Sequence, residues 1–249
     1  MIAGRLLEAA ERHGCAHLVL VDPDRTTPAR AAGMARECEA AGTDGILFGS
    51  STPLERDPAP VMSALREHFR GPIVLFPGNA EQVRADVDAV LFLSLLSGRD
   101  PRYLIDEQVA AAPRLLAAGV EPIPTAYLLV GSDAGGGSVA RVTGTKPLPI
   151  EPAFDVVAHA QAAACLGFTL AYLEAGSGAA APLPVSLVRR VAAAAPLAIV
   201  VGGGIRTTTQ ASALAAAGAR FLVTGTVHEE GGAIGPFTQA IHVPAAVLS

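Results

Sequence analysis

The sequence predicts an α/β fold of the TIM (β/α)8-barrel type, and three observations support that class. The chain has 249 residues, half of them hydrophobic, and is rich in Ala, Val, Leu and Gly, as is typical of parallel sheets covered on both faces. Eight apolar runs of strand length alternate mostly with helical patterns, which indicates parallel strands joined by right-handed crossovers. Eight such units in roughly 250 residues is the number found in TIM barrels, so we expect one barrel domain over residues 1–249.

A doubly wound open sheet is the alternative α/β class. Its dinucleotide-binding form carries a G-x-G-x-x-G turn directly after the first strand. Here the first apolar run, residues 17–21, is followed by Asp22-Pro23-Asp24-Arg25, so the barrel is favoured.

The first four units follow from apolar runs and helix signals. A lead-in helix over residues 2–13 is indicated because charged residues interrupt its apolar positions at helical spacing. Thr26 or Thr27 can cap the next helix, with Pro28 in its first turn. Only a weak, short helical pattern separates the third strand from the fourth. The expected strands are 17–21, 45–48, 73–76 and 89–93, and the expected helices after the first two of them are 28–41 and 58–69.

The last four units are interrupted by one segment of a different texture. Residues 131–150 are rich in Gly, Ser and Thr, which predicts a mobile loop or short hairpin over one end of the fold rather than a domain boundary. The expected strands are 121–129, 168–171, 197–201 and 221–224, and the expected helices are 101–118, 151–166, 185–194 and 207–217.

Charge and composition argue against several classes of function. The net charge is −5, from 18 Lys and Arg against 23 Asp and Glu, and the absence of a basic run argues against a nucleic-acid partner. The N-terminus lacks a secretory pattern and no apolar run reaches the roughly 18–20 residues of a membrane span, so no transmembrane segment is expected. Cys15, Cys38 and Cys165 are widely spaced and match no metal or redox motif, which fits a reducing, cytoplasmic location.

One glycine-rich stretch after the sixth strand organises the candidate site. Its glycines allow backbone N–H groups to turn toward an anion, and Ser177 adds a hydroxyl donor. Glu174 beside such a cradle suggests a base that works next to a bound phosphate. An ordinary tight turn with a solvated Glu is the alternative. The stretch reads Tyr172-Leu173-Glu174-Ala175-Gly176-Ser177-Gly178.

Two further glycine loops strengthen the phosphate interpretation. Gly203 and Gly204 follow the seventh strand, and Gly225 and Thr226 follow the eighth. Active sites of barrels lie at the C-terminal strand ends, often with phosphate held after strands 7 and 8. Tight turns would explain any one of these loops, but the three together predict a phosphate site.

Asp22 and Ser51 follow the first and second strands and form a candidate cation site. A carboxylate and a nearby hydroxyl suit Mg²⁺, which keeps several waters and bridges phosphate oxygens. The alternative for Asp22 is an Asp-Pro turn or a helix N-cap, and Asp24 could cap the same helix.

With these residues in view, nearly the whole chain resembles the geranylgeranylglyceryl phosphate synthase family, which includes bacterial heptaprenylglyceryl phosphate synthases. The most specific motifs are YLEAGSG at 172–178 and VGGGIR at 201–206. Weaker support comes from Phe76-Pro77-Gly78, Ser94-Leu95-Leu96, Pro124-Thr125 with Tyr127, and TGTKPLP at 143–149.

The resemblance implies a fold, an activity and a set of site residues. It implies a modified TIM barrel with a reduced or lost third helix, working as a dimer or a higher assembly. The implied reaction joins sn-glycerol 1-phosphate, at its 3-hydroxyl, to a long prenyl diphosphate, geranylgeranyl diphosphate above all. Glu174 would accept the hydroxyl proton, and Mg²⁺ would sit on Asp22 and Ser51. Glycerol phosphate would be held by residues 172–178, Gly203-Gly204 and Gly225-Thr226.

Several departures from the family pattern keep alternatives open. Gly49-Ser50-Ser51 stands where the family usually has Gly-Gly-Ser, Arg25 replaces a common Lys, and Ser97 replaces a usual Asn. A resemblance to related barrels leaves prenylation of 3-phosphoglycerate in antibiotic biosynthesis as an alternative, and the carboxylate of that acceptor would need a cationic partner such as Arg25 or Lys146. A non-catalytic phosphometabolite-binding barrel is the other alternative. A Schiff-base aldolase would need a strand-end lysine, and Lys146, the only lysine, lies in the 131–150 segment.

Apolar lining is also required for a prenyl tail. Small residues such as Ala110, Ala111 and Ala126 could line the groove, with ordinary packing as the alternative.

Overall fold

The computed structural model describes residues 1–131 and 137–242, and its eight strands close into a parallel barrel. Each strand pairs with its successor, and the eighth pairs with the first. The predicted fold class is therefore confirmed. The strands are β1 (Ala16–Val21), β2 (Gly45–Phe48), β3 (Ile73–Leu75), β4 (Ala89–Ser94), β5 (Glu121–Leu129), β6 (Leu170–Glu174), β7 (Ala198–Gly202) and β8 (Phe221–Thr224).

Helices surround the barrel and close one of its ends. Thr27 caps the second helix by accepting a hydrogen bond from Arg30 N at 3.3 Å, with Pro28 at the first helical position, as the sequence predicts. The helices are α1 (Ile2–His13), α2 (Pro28–Ala41), α3 (Ala59–His68), α4 (Glu107–Ala118), α5 (Gly137–Thr143), α6 (Phe154–Cys165), α7 (Val185–Ala194), α8 (Thr208–Ala216), α9 (Thr226–Glu229) and α10 (Gly235–Ile241). A π-helical turn, Arg102–Asp106, leads directly into α4.

The third crossover lacks a full α-helix. Between β3 and β4 the chain forms only a 3-10 turn, Ala80–Gln82, which Asn79 caps by accepting hydrogen bonds from the backbone N–H groups of Glu81 and Gln82. The expected reduction of the third helix is confirmed. A strip of the barrel's outer surface is consequently left without the usual helical cover.

The sixth strand extends further than the sequence predicts. The apolar run suggests an end near residue 171, but the ladder continues through Glu174, which pairs with Leu129 of β5 and Gly202 of β7. The prediction was wrong because a carboxylate normally signals the end of a buried strand, whereas Glu174 is only 6% exposed. Residues 172–174 are therefore held by the sheet.

The segment after β5 contains a short helix, which corrects the expectation of a loop or hairpin for its described part. Helix α5 covers Gly137–Thr143, and a parallel bridge joins Val130 to Leu148; residues 132–136 of that expectation lie outside the described residues. The Gly, Ser and Thr composition has weak helix propensity, so contacts rather than propensity hold this helix.

Three buried clusters build the molecule. The barrel interior is filled by the inward-facing side chains of all eight strands. Helix α1 adds Leu6 and Ala10, which close the N-terminal end of the barrel. One outer layer lies under α2, α3 and α4, and the other lies under α6, α7, α8 and α10. The C-terminal end of the barrel remains open for a site. Within residues 1–131 and 137–242, no helix has the length and apolar character that a bilayer crossing requires.

Candidate active site

Glu174 lies on the inner face of β6, at its C-terminal end. Alternate residues of a strand face the same side, so Tyr172 points inward with it. The β5–β6 register sets Tyr127 directly beside Tyr172, and Phe76 completes a cluster of three rings whose centroids are 5.1–5.9 Å apart. These rings form an apolar floor beneath the carboxylate.

The Glu174 carboxylate is held by three donors in a dry setting. Gly176 N donates to its Oε1 at 2.7 Å, and the hydroxyls of Tyr127 and Tyr172 bond to it as well. Burial disfavours the charged form more strongly than these donors favour it, and the pKa of Glu174 is raised to about 7. A carboxylate with that pKa can accept a proton near neutrality, as a general base must.

Glycines of β7 and its loop make room for this arrangement. A Cβ on Gly202 would lie 2.1 Å from the Tyr172 hydroxyl, and one on Gly203 would lie 2.5 Å from Glu174 Oε1. Gly203 and Gly204 also have φ angles of +85° and +70°, a region that favours glycine. Part of the glycine signal in the sequence therefore serves the close approach of the backbone to Glu174.

A cavity of about 190 Å³ opens at the C-terminal end of the barrel. It has one polar end, beneath the loops after β6, β7 and β8, and one apolar end toward α4. Eight of the site residues predicted from the sequence line the polar end with Asp22 and Ser51: Tyr172, Glu174, Ser177, Gly178, Gly203, Gly204, Gly225 and Thr226.

Two residues of the predicted phosphate stretch face away from this cavity. Leu173 and Ala175 are buried in the outer layer with the helices that follow β5 and β6, because they alternate with the inward-facing Tyr172 and Glu174. Only the backbone of Leu173 and Ala175 could contribute to phosphate binding after β6. Gly176 contributes its N–H, which is already bonded to Glu174.

Asp22 has partners that the sequence did not indicate. Its Oδ1 accepts a hydrogen bond from Asp24 N at 2.9 Å, and its side-chain partner is Ser50 rather than Ser51. Burial raises the pKa of Asp22, against the effect of these two bonds. The half-buried Glu229 of α9 lies near enough for the two carboxylates to repel each other.

The Glu229 carboxylate is the clearest reason to expect a cation here. Burial raises its pKa, and its Oε2 lacks a hydrogen-bond partner although Arg25 Nη1 lies 3.1 Å away as an ion pair. Two adjacent carboxylates and the Ser50 hydroxyl form an oxygen-rich donor set of the kind that Mg²⁺ prefers. The residues present therefore fit Mg²⁺.

Ser51 joins the loop after β2 to helix α5. Its hydroxyl hydrogen-bonds the Ser138 hydroxyl, and Gly137 lies so close to the opposite loop that a Cβ would be 2.9 Å from Ser177 N. Helix α5 thus bridges two loops of the cavity mouth. Its Val139 and Val142 also line the cavity, so this helix covers the site.

Asp24 has a structural role in the same loop. Its carboxylate accepts hydrogen bonds from Glu55 N and Arg56 N at 3.0–3.2 Å and so caps the segment after β2. The alternative prediction, that Asp24 caps α2, is wrong, because Thr27 caps that helix. This order holds Ser50 and Ser51 at the cavity.

The apolar end of the cavity exists because the crossover between β3 and β4 lacks a full helix. Val90 and Phe92 of β4 and one face of α4, carrying Ala111 and Leu115, line a groove beyond the barrel mouth. Of the alanines considered as lining, Ala111 faces the groove, Ala110 is exposed and Ala126 is buried in β5. Gln108 on the same α4 face leaves its Oε1 buried without a hydrogen-bond partner.

A buried chain of hydrogen bonds supports the Gly225-Thr226 loop from behind. His228 Nδ1 bonds the Gly232 carbonyl at 2.9 Å, so it is the donor, and His228 Nε2 accepts from Thr224 Oγ1 at 2.8 Å. Thr224 Oγ1 also hydrogen-bonds His17 Nε2 at 2.7 Å, and His17 Nδ1 hydrogen-bonds Thr238 Oγ1 at 2.9 Å. Burial lowers the pKa of His17 to about 3 and also lowers the pKa of His228, which disfavours the charged form of both rings.

Fold and site define a (β/α)8 barrel with a buried carboxylate beside three glycine loops and an apolar groove. Comparison with known proteins gives the family. The sequence profile of the PcrB family matches residues 8–241, and this chain belongs to the PcrB family.

Two relatives and one solved structure show the similarity. Geranylgeranylglyceryl phosphate synthase of Thermofilum pendens is 40% identical over 90% of this chain and 87% of its own length, and that of Methanothermobacter marburgensis is 42% identical over 86% of each. Among solved structures, (S)-3-O-geranylgeranylglyceryl phosphate synthase from Thermoplasma acidophilum, in complex with sn-glycerol-1-phosphate, is 35% identical with a TM-score of 0.91 and covers 97% of this chain and 98% of its own.

Proposed function

We propose that this protein is a prenyltransferase of ether-lipid synthesis, which joins a long prenyl diphosphate to the 3-hydroxyl of sn-glycerol 1-phosphate and releases diphosphate. The observation that carries the proposal is the buried Glu174, with a pKa raised to about 7, between three glycine loops and an apolar groove. The names of the relatives and the ligand of the Thermoplasma acidophilum enzyme support the same reaction.

The proposed chemistry balances as a substitution at the allylic carbon. The bond between C1 of the prenyl chain and the diphosphate oxygen breaks, and the electron pair leaves with diphosphate. The 3-hydroxyl oxygen forms the new ether bond, and its proton passes to the Glu174 carboxylate. Phosphate is held by the loops carrying Ser177, Gly203-Gly204 and Gly225-Thr226, and the prenyl chain lies along the Ala111 face of α4.

We further propose that Mg²⁺ is required and is held at Asp22. When bound, Mg²⁺ neutralises the negative charge that develops on the leaving diphosphate. Asp22, Ser50 and Glu229 are the residues best placed to hold it, and Ser51, the second ligand predicted from the sequence, lies in the same loop. Arg25 adds a positive charge at the same end of the cavity.

We propose glycerol phosphate as the acceptor, in line with the ligand of the Thermoplasma acidophilum enzyme. The carboxylate of 3-phosphoglycerate would approach Glu174 without a free cationic partner in Arg25, whose guanidinium already pairs with Glu229 at 3.1 Å. We therefore keep 3-phosphoglycerate as a test of the proposal and not as a second function. We also propose a cytoplasmic location, supported by the three free cysteines, and a homodimeric or higher assembly.

The first experiment is a turnover assay with product masses as the readout. Farnesyl, geranylgeranyl and longer prenyl diphosphates are each offered with sn-glycerol 1-phosphate, sn-glycerol 3-phosphate and 3-phosphoglycerate in the presence of Mg²⁺. We expect an ether only with sn-glycerol 1-phosphate and a long donor. Product formed with 3-phosphoglycerate alone would refute sn-glycerol 1-phosphate as the acceptor. Binding of the substrates without turnover would refute the proposed prenyltransferase activity.

The metal proposal is tested with Asp22→Asn. We expect the Mg²⁺ concentration for half-maximal rate to rise by about tenfold or more, since even outer-shell partners change metal affinity about 10–100-fold. Asp106→Asn, at an exposed aspartate just before α4, is the matched control and should leave the Mg²⁺ curve unchanged. An unchanged curve for Asp22→Asn would remove this residue from the metal site.

A further inference from the structure

A second group of ligand-type side chains lies at the N-terminal end of the barrel, away from the cavity. His13 ends α1, Asp44 directly precedes β2, and His242 follows α10. Because His13 and Asp44 precede parallel strands, they lie at the barrel end opposite the carboxyl ends that carry the cavity. Nothing in the proposed reaction uses these three residues.

The three side chains converge on one small volume. His13 Nδ1 lies 3.0 Å from Asp44 Oδ1, and His242 Nε2 lies 2.8 Å from Asp44 Oδ2. One ligand atom from each residue lies within 4.8 Å of the other two. The two imidazole rings stack with centroids 4.0 Å apart and an interplanar angle of 27°, and each offers a ring nitrogen to a different oxygen of the same carboxylate.

The partial burial of these three side chains and a backbone hydrogen bond to Asp44 suit them to hold a cation. The Asp44 side chain is only 4% exposed, while those of His13 and His242 are 27% and 21% exposed, which leaves a path for a cation and for water ligands. His17 N donates to Asp44 Oδ2 at 2.8 Å, the kind of second bond that fixes a ligating carboxylate in its orientation. The three ligands come from the end of α1, the bend before β2 and the residue after α10.

We propose that His13, Asp44 and His242 form a binding site for a borderline divalent transition-metal ion such as Zn²⁺. Two imidazoles and one carboxylate are ligands that Zn²⁺ takes in open sites, with water in the fourth position. Bonds of about 2.0–2.2 Å in a tetrahedron place ligand atoms about 3.3 Å apart, so the carboxylate oxygens must retract by a few tenths of an ångström. One of the two stacked rings must also turn, so that both nitrogen lone pairs point to the ion.

The bound ion would link α10 to the N-terminal end of the barrel. His242 follows α10 directly, and Asp44 and His13 belong to the ends of the first two units. Binding to the folded chain alone raises its stability by mass action. The site is chemically distinct from the oxygen-only set around Asp22, which favours hard cations such as Mg²⁺.

The test is a titration of the full, untagged chain with Co²⁺, followed by visible absorption, and with Zn²⁺ in competition with a chromophoric chelator. Excess Mg²⁺ is present throughout to occupy the oxygen-rich site, and Cys165→Ser removes the exposed thiol. We expect one Co²⁺ per chain, displaced by Zn²⁺. His242→Gln should weaken binding by at least about tenfold, since even outer-shell partners matter to that extent. His68→Gln, at a half-buried histidine of α3, should bind as the parent does.

Stability gives a second and independent readout. Zn²⁺ should raise the urea midpoint of the parent and of His68→Gln but not that of His242→Gln. His242 lies outside α10 and outside the eight strands, so we expect the barrel of His242→Gln to remain folded. The absence of a cobalt spectrum in the parent, or equal binding by His242→Gln, would overturn the proposal.

Discussion

At the residue scale, the property that matters most is the raised pKa of one buried carboxylate. Glu174 is 6% exposed and its pKa lies at about 7, because burial outweighs the hydrogen bonds from Gly176 N and two tyrosine hydroxyls. The same burial raises the pKa values of Tyr127 and Tyr172 well above their usual value of 10. The phenols therefore remain protonated donors while the carboxylate titrates.

Replacement of the carboxylate tests its role as base. Glu174→Gln keeps the acceptor for Gly176 N but cannot take a proton, so we expect kcat to fall by about 10²–10⁴-fold while KM for the acceptor changes by only a few-fold. The parent's kcat/KM should rise with pH up to about 7 and then level off. A variant that retains half of the activity would exclude Glu174 as the base.

The same residue couples stability to pH. Its pKa is raised from 4.5 to about 7 on folding, so between these values the unfolded chain ionises first and the folded protein loses stability as pH rises. Glu174→Gln, which is always neutral, should therefore be more stable than the parent by about 1–3 kcal/mol at pH 8 and by little at pH 4.

Urea unfolding at the two pH values measures this difference. Glu8→Gln, at an exposed glutamate of α1, makes the same chemical change without burial and should show no such pH dependence. A stability gain for Glu174→Gln that is equal at both pH values would contradict the raised pKa.

At the scale of elements, the loss of one helix makes room for the proposed donor. The 3-10 turn Ala80–Gln82 stands between β3 and β4 where a TIM barrel has a full helix. The strip between β4 and α4 becomes an apolar groove lined by Val90, Phe92 and Ala111. Helix α4 therefore has two faces with different roles, one toward the groove and one toward solvent.

A bulky side chain in the groove should select against long donors. Ala111→Phe is expected to lower kcat/KM for the longest accepted prenyl diphosphate by about tenfold or more, through overpacking of the groove, and to affect a short donor much less. Ala110→Phe, one residue earlier on the exposed face, is the control. An equal loss for short and long donors would place the prenyl chain elsewhere.

Helix α5 shows how contacts can override local propensity. Its sequence, Gly137–Thr143, has the glycine and hydroxyl content of a loop. It forms a helix where Ser138 bonds Ser51 and Gly137 lies against the backbone of Ser177. Neither partner is near in sequence, so no local pattern could have predicted this cover over the site.

At the scale of the molecule, the solvent face of α4 carries the best reason to expect assembly. Val109 and Leu116 of α4 are 67% and 73% exposed and lie seven residues apart, which sets them on one side of the helix. Ile105, in the π-helical turn that leads into α4, is 58% exposed. Apolar groups grouped on one face in this way mark interaction surfaces more often than scattered ones do.

Leu116→Glu tests this face as the interface of the proposed homo-oligomer. We expect the parent to sediment as a dimer or larger assembly and the variant to sediment nearer to the 25.2 kDa of one chain. Leu166→Glu, at a 67% exposed leucine after α6, makes the same change elsewhere and should leave the mass unchanged. A monomeric parent, or loss of assembly only in Leu166→Glu, would contradict the choice of interface.

The sequence by itself determined the barrel and the residues that meet at the C-terminal strand ends, and the family resemblance implied the reduced helix between β3 and β4. These features are local: apolar runs set strands, Thr27 and Pro28 start a helix, and glycines after β6, β7 and β8 mark loops that topology must bring together. Family motifs read from the same residues added the proposed reaction.

Only the tertiary structure decided how those residues work. It extended β6 through Glu174, turned Leu173 outward and set Asp22 beside Ser50 and near the like charge of Glu229. It also brought His13, Asp44 and His242 together from distant parts of the chain. The physical reason is that burial, pKa and ligand geometry depend on neighbours across the barrel, and those neighbours are set by strand register and packing rather than by any contiguous pattern.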